Sequence, residues 1–163
     1  MAKENIFTMD TSGIKFGNGC TEEVGYEAKR FGIKKALVIT DKKIEKLGLF
    51  QKVKDSLGRY GVDFSVYNEV VTEPTDTSFK NASSFASYGD YDGLIAVGGG
   101  SVMDTTKAAN LYSTYPADFL YYVNAPIGKG VPIPGPLKPL ICIPTTAGTG
   151  SETTGGAIFD VEE

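Results

Sequence analysis

The chain alternates short apolar runs with stretches whose apolar residues recur at helical spacing, a pattern that predicts βαβ units around a mostly parallel sheet. Ala36-Leu37-Val38-Ile39 and Leu94-Ile95-Ala96-Val97 are continuous apolar runs, as strands covered on both faces should be. Phe64-Ser65-Val66 and Leu140-Ile141-Cys142-Ile143 predict two further strands. Ile14-Lys15-Phe16 predicts a short first one, stopped by Gly17-Asn18-Gly19. Four helices lie between them. The first starts with Thr21 as N-cap, places Glu22 and Glu23 at the positive end, turns Val24, Ala28 and Phe31 to one face, and ends at Gly32. The second carries Phe50, Val53, Leu57 and Tyr60 on one stripe. The third is capped by Thr75 and points Phe79, Ala82 and Ala86 inward. The fourth follows Gly98-Gly99-Gly100-Ser101 and runs to about Tyr112.

Residues 113–139 break this rhythm. They hold six of the eight prolines and one short helical piece at 118–123, too much chain for an ordinary connection, so an excursion packed on the domain is expected. The length, 163 residues, suits one core. The predicted fold is therefore a single α/β domain over residues 1–163, Rossmann-like, with helices on both faces of a mostly parallel sheet.

Composition narrows the function classes. With 41% hydrophobic and 22% charged residues the chain is an ordinary globular sequence, and its net charge of −4 repels nucleic acid. No apolar run approaches membrane-spanning length. The polar start Met1-Ala2-Lys3-Glu4-Asn5 gives no sign of a secretory signal. Cys20 and Cys142 share no metal-type spacing, which points to a reducing cytoplasm, and Cys142 reads as a small core residue rather than a nucleophile. There is no histidine. The commonest metal ligand and the commonest general base are both missing, so the chain offers no candidate catalytic or metal-ligating residue of its own.

What it does offer is a place for phosphate. In the succession strand, Gly98-Gly99-Gly100-Ser101, helix, glycines remove side chains that would hold an anion away. The helix start supplies unpaired N–H donors and partial positive charge, and Ser101 adds a hydroxyl. The alternative is a tight turn that binds nothing, an uneconomical use of three flexible residues. The strict dinucleotide fingerprint is absent: Met103 stands where the third glycine would follow Gly98-x-Gly100. Thr145, Thr146, Thr149 and Ser151 place four hydroxyls just past a buried strand, where a ligand crevice lies in open α/β sheets; alternatively, Ser151 and Glu152 cap a following helix. Asp41, at the end of a strand, is either an acceptor for ribose hydroxyls or an ordinary cap, and Lys42 and Lys43 blur any preference for NAD over NADP. Asp104, one turn into the fourth helix, faces either solvent or the nicotinamide end of a ligand.

Three stretches together carry a family resemblance: Ile14-Lys15-Phe16-Gly17-Asn18-Gly19, the run from Gly98-Gly99-Gly100-Ser101 through Asp104 and Lys107 to Ala108, and Pro144-Thr145-Thr146-Ala147-Gly148-Thr149-Gly150-Ser151-Glu152. In this order they resemble the iron-containing (group III) alcohol dehydrogenases, whose N-terminal domain is of the dehydroquinate synthase type. The last stretch is highly specific and favours this family over dehydroquinate synthase and glycerol dehydrogenase. Glu73-Pro74-Thr75-Asp76, Ala108-Ala109-Asn110-Leu111-Tyr112, Ala125-Pro126-Ile127-Gly128-Lys129-Gly130 and Gly156-Ala157-Ile158-Phe159-Asp160 look most like its hydroxyacid-oxoacid transhydrogenase branch. Many other members carry Asn where Glu73 stands.

The resemblance implies an NAD- or NADP-binding domain that works with a C-terminal helical domain. That second domain binds divalent iron through one aspartate and three histidines, and these have no counterparts here. Carried over by motif, Gly98, Gly99, Gly100 and Ser101 hold the pyrophosphate; Thr145, Thr146 and Thr149 line the crevice; Asp41 meets the adenosine ribose; Asp104 lies toward the nicotinamide. The implied partners are a nicotinamide dinucleotide, a small alcohol or hydroxyacid in the complete enzyme, and a second copy of the chain, since an apolar patch near residues 145–156 would be left uncovered. The chain alone is expected to be inactive. A free-standing nucleotide-binding module without catalysis is the competing expectation.

Overall fold

The computed structural model describes residues 12–162. The polar start read above for a secretory signal lies outside them. Four strands, β1 (Lys35–Ile39), β2 (Asp63–Tyr67), β3 (Gly93–Gly98) and β4 (Leu140–Pro144), form one sheet in the order β2-β1-β3-β4. Every pairing is parallel, so the fold is α/β and Rossmann-like. Helices α1 (Val24–Arg30), α2 (Gly48–Arg59), α3 (Asp76–Tyr88) and α4 (Gly100–Thr114) cover the two faces.

The period-two alternation of each strand divides the core. Ala36 and Val38 of β1, with Ile95 and Val97 of β3, pack under α1 and α2 against Val24, Ala28, Phe50, Val53 and Leu57. Leu37, Ile39, Leu94 and Ala96 face the other way, onto Ala82, Ala86, Val102, Met103 and Ala109 of α3 and α4. Burying each of the larger side chains contributes about 1.5–3 kcal/mol, which explains why the two central strands are apolar apart from Lys35 at the start of β1. The cap on α3 is as expected. Thr75 Oγ1 accepts from the Ser78 amide at 3.3 Å and Ser78 Oγ accepts from the Thr75 amide at 2.9 Å, a reciprocal capping box.

Four local expectations differ from the structure. Ile14-Lys15-Phe16 is not a strand: it is exposed, and Lys15 pairs with Glu23 and Glu27, fastening this arm to the first helix instead of to a sheet edge. Thr21 is not an N-cap but lies inside a 3-10 turn, Cys20–Glu23, that leads into α1. Phe31 is half exposed because the helix ends at Arg30, before the face it would share. The helical piece at 118–123 shrinks to one 3-10 turn, Phe119–Tyr121. The excursion that carries it is anchored by side chains. Asn110 Nδ2 donates to the Lys138 carbonyl at 2.8 Å, and Tyr112 stacks on Phe119 while its hydroxyl donates to the Phe119 carbonyl.

Candidate functional site

From β1 the chain moves outward to β2, and from β3 it moves the opposite way to β4. The carboxyl ends of β1 and β3 therefore flank the point where the strand order reverses, the place at which open α/β sheets leave a crevice. The structure brings the glycine turn, the threonine loop and Asp41 to this end of the sheet.

Gly98 ends β3, Gly99 is the N-cap residue of α4, and Gly100 is its first residue. Gly99 offers no side-chain cap; the Val102 and Met103 amides donate to its carbonyl at 3.1 Å, while those of Gly100 and Ser101, at the head of a 15-residue helix, meet no capping side chain. None of the three glycines has positive φ; their requirement is for space. A Cβ on Gly98 would lie 2.5 Å from Val102, one on Gly99 would lie 2.9 Å from Thr146 Oγ1, and one on Gly100 would lie 3.0 Å from Thr149 and 3.2 Å from Ser151 Oγ. The hydroxyl loop is thus seated directly on the glycine turn, and the Thr145 amide donates to the Gly98 carbonyl at 3.0 Å. This supplies a packing reason for the glycines that chain entropy alone did not suggest. Ser101 is half buried at the mouth, while Thr146 and Thr149 are exposed. Among the described residues no helix follows Ser151, so the loop hydroxyls are not helix caps.

Asp41 follows β1 by two residues. Its Oδ1 accepts from the amides of Lys43 (2.8 Å) and Ile44 (2.9 Å), so capping is realised with one oxygen and Oδ2 is left over. Lys42 is drawn to Glu69 at 2.6 Å, on the exposed rim. Thr40, between strand and loop, is fully buried and donates to the Val97 carbonyl at 2.8 Å, tying the ends of β1 and β3 together.

Asp104 does not face solvent. It is buried, with Oδ1 accepting from Lys107 Nζ at 3.2 Å and Oδ2 from the Ile158 amide at 3.2 Å. Lys107, not singled out from the sequence, lies beside Cys142 and Glu152 on the wall of a large open groove of about 1840 Å³ along β4. Its spacing of three from Asp104 was the available signal. Cys142 is half-buried, packed against the core rather than within it, and its thiol is pushed up to about 11, chiefly by burial.

For a metal the donor set does not fit. The sequence has no histidine, and among the described residues no three acids or cysteines converge.

The family model described as "Iron-containing alcohol dehydrogenase" matches residues 11–163. The chain belongs to the iron-containing alcohol dehydrogenase family. Within it, the chain is 57% identical over 157 residues to the hydroxyacid-oxoacid transhydrogenase, mitochondrial, of Bos taurus, a match covering 96% of this chain and 34% of that protein. The fold matches NADH-dependent butanol dehydrogenase A of Thermotoga maritima with a TM-score of 0.85 at 28% identity, over 96% of this chain and 38% of that one. It also matches sulfoacetaldehyde reductase of Bifidobacterium kashiwanohense, solved in complex with NAD+, with a TM-score of 0.79 at 27% identity, over 93% and 39%. The chain spans about a third of the length of the curated relatives it matches.

The cytoplasmic expectation is overturned by these relatives. The cattle, mouse and human proteins are all named as mitochondrial. Two cysteines without a disulfide argue only against an oxidising compartment and do not choose among the others.

Proposed function

We propose that this chain is the nicotinamide dinucleotide-binding part of an alcohol or hydroxyacid dehydrogenase of its family. The observation that carries the reading is the uncapped start of α4 at Gly99 and Gly100, lying at the reversal of strand order under a loop of hydroxyls. The amides at the head of α4 and the Ser101 hydroxyl donate to the pyrophosphate, where the helix dipole favours negative charge. Thr145, Thr146 and Thr149 line the crevice toward the nicotinamide, and the free Oδ2 of Asp41 accepts from the adenosine ribose. When bound, the dinucleotide supplies hydride acceptance and release; the residues here hold and orient it. A neighbour solved with NAD+ supports the cofactor class, and the names of the 51–57% identical relatives support a hydroxyacid as substrate. The family's iron and the groups that ligate it belong to chain outside this domain, so the 163-residue chain alone does not turn over substrate.

The test is thermal unfolding with and without millimolar NAD and, separately, NADP. At a hundredfold excess over Kd, binding to the folded state alone stabilises by roughly 2.7 kcal/mol, an upward shift of several degrees for a domain of this size. A midpoint that neither dinucleotide moves rejects the cofactor reading.

A further inference from the structure

Seven ion pairs connect the described side chains, and six have a cation that is 44–63% exposed. The seventh, Lys107 with Asp104, differs: its side chains are only 12% and 11% exposed. Two ions are withdrawn from water only at considerable cost unless their remaining hydrogen-bonding capacity is met. Here it is met by a single stretch of chain, residues 154–158. Lys107 Nζ donates to Thr154 Oγ1 at 3.1 Å and to the Gly156 carbonyl at 2.7 Å, while Asp104 Oδ2 accepts from the Ile158 amide at 3.2 Å. An ammonium has three donors, and Asp104, Thr154 and Gly156 take all three, leaving none for a ligand.

The stretch held in this way is anchored again just beyond its end, where Phe159 packs on the Phe79 and Phe119 rings and Asp160 exchanges backbone hydrogen bonds with Pro74 and Asp76, but over its own length it has little else to hold it. Between Thr146 and Phe159, every hydrogen bond from the described chain to the rest of the domain comes from Asp104 or Lys107; the others are internal to the loop, such as Ser151 to Thr149 and Thr153 to Gly150. Gly155 and Gly156 have open space where a Cβ would be, so packing does not fix them, and a glycine pair is intrinsically loose. The same connected loop carries Thr146, Thr149 and Ser151 onto Gly99 and Gly100.

We propose that Asp104 and Lys107 are positioning residues for the dinucleotide crevice. Their ion pair clamps 154–158 to α4 and thereby holds the hydroxyl loop 145–151 against the glycine turn. Lys107 acts through the loop rather than on the cofactor. The inference rests on the cofactor reading above.

The experiment compares the unmodified chain with Lys107→Met, Lys107→Arg and the double variant Asp104→Asn with Lys107→Met. Two quantities are read: hydrogen exchange of peptides covering 146–158 by mass spectrometry, and the NAD dissociation constant by calorimetry. Lys107→Met is expected to speed exchange in 146–158 at least tenfold, with β1 and α2 unchanged, and to weaken NAD about tenfold. Lys107→Arg, which keeps the charge and can reach the same carbonyl, restores most of both. The double variant leaves no unpaired buried charge and so stays folded, yet it shows the same fast exchange and weak binding. Unchanged exchange in both Lys107→Met and the double variant overturns the clamp. Fast exchange with unaltered NAD affinity overturns the positioning role alone. If the unmodified chain binds no NAD, the cofactor reading fails and the positioning role falls with it, a result distinct from either of the others.

Discussion

At Gly99 the backbone has φ −82° and ψ −169°, a conformation open to any residue, so glycine is there for what surrounds it. Thr146 Oγ1 lies 2.9 Å from the position of a Cβ. Gly99→Val is therefore expected to fold, because a β-branched residue accepts extended backbone, and to lose the stabilisation given by NAD. Its side chain fills the approach to the head of α4 and pushes Thr146 outward. Thermal melts of the variant with and without NAD check this; a folded variant that NAD still stabilises normally moves the pyrophosphate elsewhere. Glycine richness after a strand was legible in the sequence, and close approach to a phosphate is the cause proposed for it. Its second cause was not, because Gly99 and Thr146 are 47 residues apart and nothing local announces their contact. Asp41 was legible only as a choice between cap and ribose acceptor. The structure gives its Oδ1 the first role; acceptance from a ribose by Oδ2 belongs to the proposed function.

Among the elements, the central strands, α2 and α3 were legible because their apolar periods match what they bury, whereas α4, which buries Asp104, Thr105, Thr106 and Asn110, was legible from the glycine turn before it. Thr75 announced its helix through a cap whose partners lie within three residues. The N-terminal arm was misread for the complementary reason. Three residues of strand-like composition become a strand only if an edge is free to pair with them, and Lys15 is drawn to Glu23 and Glu27 on the adjacent helix. The packing of β4 against α4 governs Cys142. Burial raises its thiol from an ordinary 9.0 to about 11, so the thiolate is scarce at neutral pH. Iodoacetamide at pH 8 is expected to modify Cys142 at least tenfold more slowly in the folded chain than in the chain unfolded by urea, as measured by peptide mass spectrometry. Equal rates would mean that β4 is not packed as described. The sign for stability follows: a raised thiol favours the folded state below about pH 9, and that contribution is lost as pH rises through about 11.

Taken whole, the molecule is a parallel-sheet domain of the iron-containing alcohol dehydrogenase family whose sequence contains no imidazole to hold divalent iron. Purified chain supplied with ferrous iron, NAD or NADP, and either 4-hydroxybutyrate or simple alcohols is expected to form no NADH or NADPH, followed by absorbance. Iron-dependent turnover that survives purification controls would place a complete catalytic site within these 163 residues. The sequence by itself determined the alternation of strands and helices, the coverage of both sheet faces and the glycine turn that follows β3, because periodicity and glycine placement are local consequences of what each segment must bury or approach. Only the tertiary structure decided the order β2-β1-β3-β4, the seating of the hydroxyl loop on the glycine turn and the burial of Asp104 with Lys107 under residues 154–158. Those depend on which distant segments share a surface. That is settled by packing the whole chain around its sheet, where a carboxylate and an ammonium leave water only because a loop some fifty residues away completes their hydrogen bonds.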